Sequence, residues 1–259
     1  MSKTISGEQV KFFDDNGYLV YRGLVAGDEL KQMTDECQAF IDNKRETFFR
    51  DDLGGDDETP VGKENFLQIL GLWKTSPMMR EIALSEERGR IAGALLHTKS
   101  VQLLSDMILS KPGQLSRPTH WHQDYVDHST SIPEVTMWIS LDVATEESGC
   151  MRYLPGSHKL GEKVGYDYDG GQNYEKVGMD ISTAVMVEAE PGDAIFHLGL
   201  TLHGAGPNQT EQQRRAYIIR YAAGETVFRW NEPIYGPKEE NVIGKHLDEE
   251  DHPFIVRDA

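Results

Sequence analysis

The chain has 259 residues, which suits one large domain or two small ones, and its 38% hydrophobic content is enough for a packed core. Its formal net charge is −17, with 26 Lys and Arg against 43 Asp and Glu and no basic run, so no nucleic-acid partner is expected and a polyanion feels no long-range attraction. Two distant cysteines, a polar stretch after Met1 and the lack of a long apolar run speak against a disulfide framework, a secretory leader and a membrane span, and give the expectation of a cytoplasmic protein.

Residues 7–16 read as a short helix, with Val10, Phe12 and Phe13 on its apolar side and Asn16-Gly17 as its stop. Tyr18-Leu19-Val20-Tyr21 reads as a strand. Leu30, Met33, Cys37, Phe40 and Ile41 recur at helical spacing over residues 28–43. Residues 47–64, rich in Asp, Gly and Glu, read as a mobile loop, and residues 76–95 as a second helical stretch.

From residue 100 the pattern changes to short β-rich runs: 101–110, 134–143, 150–154, 184–188, 194–197, 200–203 and 214–222. Pro112-Gly113, Pro155-Gly156, Pro191-Gly192 and Gly206-Pro207-Asn208 break them. Many short strands between turns imply a sandwich or barrel, of which a jelly roll is one closed form. Residues 161–180 read as an insertion loop placed to act as a lid, and the tail from Asn231 is irregular until Phe254-Ile255-Val256. The expected organisation is one domain over 1–259: a helical part to about 98, a β core over 99–224 and a tail over 225–259.

The densest chemical signal is His120-Trp121-His122-Gln123-Asp124. In an extended chain residues two apart share a face, so His122 and Asp124 converge on one point. An imidazole and a carboxylate together are two-thirds of the facial triad that holds non-haem Fe(II) and leaves positions open for other ligands. His203 is the choice for the missing histidine, because it ends a β-rich run and precedes the turn at Gly204-Ala205-Gly206-Pro207. His120 and His197 are its competitors within the set of nine histidines; His197 has no glycine directly after it, as His203 has in Gly204. Arg214 lies 11 residues after His203 at the start of the next strand, placed to pair bidentately with a dicarboxylate, while Arg215 faces the opposite way.

Taken in order, these segments resemble the phytanoyl-CoA dioxygenase family of Fe(II)/2-oxoglutarate oxygenases. The resemblance runs from about residue 8 to about 224. It rests on the opening segment Phe12 to Val20 with Gly23-Leu24, Trp121-His122-Gln123-Asp124, Trp138-Ile139-Ser140-Leu141, the run Glu147 to His158, Pro191-Gly192-Asp193-Ala194 and His203 to Asn208, followed by Arg214. It implies a double-stranded β-helix core, mainly β with flanking helices and cupin-like. It also implies iron held by His122, Asp124 and His203, 2-oxoglutarate anchored by Arg214, and O2 as the oxidant. By position, Met107 and Trp138 match the residues that surround the cosubstrate in such enzymes, and each is also an ordinary core residue. The Pro155-Gly156-Ser157-His158 string reads as a structural turn.

Asp124 fills the coordination slot that a halogenating relative would leave for halide, which favours hydroxylation. Tyr125, Asp127, His128, Arg152 and Trp230, with Arg229, are the candidate substrate contacts. The acidic balance disfavours a polyphosphorylated acyl-CoA, so the expected substrate is a small polar metabolite or natural-product intermediate. The alternatives are an acyl-CoA hydroxylase, an iron oxygenase independent of 2-oxoglutarate, and a non-enzymatic β-barrel binding protein.

Overall fold

Ser6 opens the first helix, α1 (Gly7–Asn16), with a reciprocal capping box: the Ser6 hydroxyl accepts from Gln9 N–H and the Gln9 side-chain oxygen accepts from Ser6 N–H. Gly17 ends it at φ 82, where a Cβ would meet Thr201 Oγ1 at 2.4 Å. The structure, a computed structural model, describes residues 3–52, 66–114, 116–127, 129–164, 174, 178–230 and 242–257.

Strand β1 (Tyr18–Tyr21) follows, then α2 (Gly27–Ile41), β2 (Phe49–Asp52), β3 (Leu67–Leu70), α3 (Leu72–Thr75), α4 (Pro77–Ala83) and α5 (Glu86–Leu95). The remainder is β4 (Val101–Lys111), β5 (Thr119–His122), β6 (Val135–Ser140), β7 (Met151–Tyr153), β8 (Val185–Val187), β9 (Ala194–Leu198), β10 (His203–Ala205), β11 (Arg214–Ala223) and β12 (Phe254–Val256). One antiparallel sheet runs β1-β9-β6-β11-β4-β3-β2, with β12 on the free end of the β4 edge that β3 also uses. A smaller sheet runs β5-β10-β7-β8.

The two faces of the large sheet have different partners. Met137, Ile139, Phe196, Tyr217, Ile219 and Tyr221 face the helices, where Met33, Cys37 and Phe40 of α2 and Ile91 and Leu95 of α5 cover them. Residues two apart on the other face, Trp138, Ile195 and Ile218 with Met107, pack against Met151, Tyr153, Val187 and Ala205 of the small sheet. Each fully buried large side chain contributes roughly 1.5–3 kcal/mol. This is the face-to-face, cupin-like jelly roll expected from the sequence. Strands from both the N-terminal part and the tail, β1 and β12, join the large sheet.

Several local expectations need correction. Residues 49–52 form β2 rather than loop, and residues 53–64 lie outside the described residues. The helical stretch over 76–95 is two helices, because Ser76 and Ser85 each start one and Leu84 ends the first. Strand β3 and helix α3 were not anticipated. His203 begins a strand instead of ending one, since residues 199–201 turn. The lid expected over 161–180 lies mostly outside the described residues. Among the described residues no helix is long and apolar enough to cross a membrane.

Candidate metal centre

Antiparallel register assembles the site from two facing rows of side chains. In the small sheet His203 of β10 pairs with His122 of β5 on one side and with Tyr153 of β7 on the other. In the large sheet His197 of β9 pairs with Tyr18 of β1 and Thr136 of β6, and Thr136 pairs with Arg220 of β11. Asp124 stands between the rows. It does not continue β5, as alternation in an extended chain would require. It starts a 3-10 turn over Asp124–Asp127, and that turn brings its carboxylate back toward His122.

The triad is close-set and buried. One ligand atom from each of His122, Asp124 and His203 lies within 4.8 Å of the other two. Asp124 Oδ1 is 3.3 Å from His122 Nε2 and 3.8 Å from His203 Nε2. Each histidine is oriented through its other nitrogen: His122 Nδ1 donates to the His120 carbonyl at 2.8 Å and His203 Nδ1 to the Thr201 carbonyl at 2.9 Å. A proton fixed on Nδ1 leaves the Nε2 lone pair facing Asp124, the tautomer a metal needs. Burial and the neighbouring His122 and His197 push the His203 pKa well below the usual imidazole value, so the ring is neutral. Burial would raise Asp124, but the Arg220 guanidinium, aided by the triad and His197 rings, holds it well below the usual carboxylate range. Two imidazoles and one carboxylate with no thiolate form a donor set suited to Fe(II).

Beside the triad the cavity is lined by Met107, Trp138, Met151, Arg214, Ile218 and Arg220. Arg214 is 2% exposed, and its Nε and Nη1 have no hydrogen-bond partner among the described residues. Its guanidinium lies 5.4 Å from the Trp138 ring centre, and burial lowers its pKa to about 10, which leaves it charged at neutral pH. A buried cation lacking partners is costly, and a carboxylate supplies what it lacks. Arg215 faces the other way onto Asp142 at 2.6 Å, as strand alternation requires. Trp138 and Met107 flank Ile218 in adjacent strands and line the same cavity, while both also belong to the inter-sheet core.

The expected substrate contacts are not brought together there. Arg152 alternates with Met151 and Tyr153 on β7, pairs with Gly204 and reaches toward Glu146 at 4.0 Å, away from the face that His203 occupies. Tyr125 and Trp230 sandwich the Arg229 guanidinium at 4.1 and 3.9 Å, outside the lining of this cavity. The Asp127 side chain and His128 lie outside the described residues. His158, in the structural turn, donates through Nε2 to the Asp14 carbonyl of α1 at 3.0 Å.

Sequence reading passed over Thr136 and Tyr153 as parts of the site and weighed His197 only as a rival to His203. Arg220 shares a face with Arg214 and Ile218, and Thr136 shares one with Trp138, so the two-residue period carried a signal for both. Tyr153 and His197 arrive through pairing between distant strands.

Comparison with known proteins gives a consistent set. A family model described as phytanoyl-CoA dioxygenase (PhyH) matches residues 13–216. A probable phytanoyl-CoA dioxygenase of Caenorhabditis elegans is 28% identical over 237 residues, covering 84% of this chain and 75% of that protein. The peroxisomal phytanoyl-CoA dioxygenase of Homo sapiens is 24% identical over 251 residues, covering 91% and 72%. The epimerase SnoN in complex with Fe3+, alpha ketoglutarate and nogalamycin RO shares the fold at a TM-score of 0.80 and 20% identity, over 96% of this chain and 97% of that one.

Proposed function

The chain belongs to the phytanoyl-CoA dioxygenase family and is an iron(II)- and 2-oxoglutarate-dependent dioxygenase; from that premise we propose that His122, Asp124 and His203 hold the iron and Arg214 the cosubstrate. The observation that carries this reading is the pair of Nδ1–carbonyl hydrogen bonds that aim both histidine Nε2 atoms at Asp124 Oδ1. Bound iron supplies the activation of O2, coupled to oxidation of 2-oxoglutarate to succinate and CO2, that inserts an oxygen atom into a C–H bond of the substrate.

The residues do the rest. Asp124 supplies the single negative charge of the triad. Arg214 pairs with the far carboxylate of 2-oxoglutarate, leaving the keto-acid end toward the triad. Trp138 packs against that guanidinium, and Met107, Met151 and Ile218 keep the channel apolar, which strengthens the ion pair. Asp124 occupies the slot halogenation requires, which supports hydroxylation.

The substrate we assign is a small polar metabolite or natural-product intermediate. The acidic chain supports this, since it offers no general attraction to a ligand with several phosphates. The names of the curated relatives favour a second reading, an acyl-CoA hydroxylase. Succinate release measured across acyl-CoAs, amino acids, betaines and polycyclic natural products separates them. Stimulation by a small polar compound is expected, and a response to acyl-CoAs alone overturns the assignment.

A further inference from the structure

The two oxygens of Asp124 have different surroundings. Oδ1 faces the triad histidines, with Arg220 Nη2 at 3.4 Å. Oδ2 is turned toward the large sheet, where it accepts from Thr136 Oγ1 at 3.1 Å and lies 3.4 Å from His197 Nε2. Thr136 and His197 are cross-strand partners, so one row of the sheet holds the whole outer edge of the carboxylate.

His197 is 2% exposed, and its second nitrogen, Nδ1, lies 3.1 Å from the Tyr153 hydroxyl. Tyr153 is fully buried, and its ring stacks on Tyr18 at 4.9 Å and 3°. The chemistry of this chain permits one proton order. A phenol keeps its proton at neutral pH. Donated to Nδ1, it puts the imidazole proton on Nε2, which then donates to Asp124 Oδ2. The other tautomer would set an imidazole lone pair against Oδ2 with no cation between them, an acceptor facing an acceptor, whereas the Nε2 lone pairs of His122 and His203 converge where a metal would sit.

We propose that His197, with its tautomer set by Tyr153, is a positioning residue that confines Asp124 to coordination through Oδ1 alone. The proposal rests on the triad reading above and goes beyond it. With three donors from the protein and two from the keto-acid group of 2-oxoglutarate, one place on the metal would remain for dioxygen. A carboxylate free to swing onto the metal with both oxygens would fill the last place, which dioxygen needs. Two donors on Oδ2 from a rigid sheet prevent that swing. His197 thus acts through Asp124 and needs no contact with iron, cosubstrate or substrate.

The test uses anaerobic protein loaded with Fe(II) and 2-oxoglutarate, with nitric oxide as the probe of the remaining place. The visible band of the iron chelate reports assembly, and the paramagnetic signal of the nitrosyl reports access. His197→Leu is expected to keep the band and bind nitric oxide about tenfold more weakly or worse, in line with the usual effect of removing a group that orients a ligand. His197→Gln, whose amide nitrogen can reach the same oxygen, is expected to recover most of the loss, which a mere packing role would not allow. Tyr153→Phe removes a single oxygen from the core and is expected to weaken nitric oxide binding severalfold. It serves if His197→Leu does not fold. An unchanged nitric oxide affinity in His197→Leu or Tyr153→Phe with an intact band overturns the role of His197 alone. Absence of the band in the unmodified protein overturns the triad assignment and this proposal together.

Discussion

Arg214 lies buried over Trp138, 5.4 Å from guanidinium carbon to ring centre, with two of its three nitrogens lacking a hydrogen-bond partner among the described residues. Such a cation, kept charged at the end of a cavity that leads from three metal-type ligands, is a preformed receptor for a carboxylate. Replacing Arg214 with Ala is expected to weaken 2-oxoglutarate binding by about 10–100-fold, the value of a lost charge-assisted pair of about 1.5–3 kcal/mol. Titration of the chelate's visible band measures it. Iron affinity should change little, and Arg214→Lys should recover little because an ammonium does not reproduce the fork. Equal 2-oxoglutarate affinity in Arg214→Ala would move the anchor to another residue, Arg220 first.

The same unpaired charge has a cost in the ligand-free protein. Arg214→Met keeps most of the volume and removes the buried cation, so it should raise the melting temperature of the apoprotein by about 2–4 °C. Iron with 2-oxoglutarate should stabilise the parent protein more than this variant, because ligand binding to the folded state adds to stability. Differential scanning fluorimetry of both forms, with and without ligands, decides. A lower melting temperature for the apo variant would mean that Arg214 is already satisfied.

Asp106 makes a pH-dependent prediction on the helix-covered face of the large sheet, where Tyr217 lies. Burial raises its pKa to about 7, against hydrogen bonds from Tyr217 Oη at 2.7 Å and Trp73 N–H at 3.0 Å that pull the other way. Between the unfolded value near 4 and the folded value near 7, the native state holds a proton that the unfolded chain has lost. Stability from this group is therefore present at low pH and declines as pH rises through that window. Urea unfolding of the parent and Asp106→Asn at pH 5, 6 and 7 should show the parent losing ground by up to about 1.4 kcal/mol per pH unit relative to the variant. A constant difference would place the Asp106 titration outside that range.

Gly149 stands at φ 82, and a Cβ there would lie 2.4 Å from the Gly206 carbonyl oxygen. Backbone cannot yield as a flexible side chain can, and φ is unfavourable for any other residue. Gly149→Ala should therefore cost about 2 kcal/mol or more. It should also weaken iron binding, since Gly206 lies just beyond the strand that carries His203. Urea unfolding and iron titration of the variant check both parts, and a cost under 1 kcal/mol would show that the turn relaxes freely.

What could be read from the linear order was whatever is local. Gly17 and the alternation of Arg214 and Arg215 along β11 fixed an element end and a face, and His122 with Asp124 stood out because they are neighbours. The route by which Asp124 joins His122 was misread, since alternation alone cannot signal that β5 stops and a 3-10 turn begins. Strand β3 was hidden because four residues beside a polar stretch carry little periodicity of their own. The register that sets His197 against Thr136 and His203 against Tyr153 is a property of pairs far apart in sequence, decided by sheet packing. For the same reason Arg152, close to the motifs in sequence, turns out to face away from them.

The central claim is that His122, Asp124 and His203 share one iron. Crystals grown without oxygen in the presence of Fe(II), with diffraction collected on both sides of the iron absorption edge, test it most directly. One strong anomalous peak is expected within bonding distance of the Nε2 atoms of His122 and His203 and Oδ1 of Asp124. No peak at that point, or a peak bound by His197 in place of His203, would contradict it.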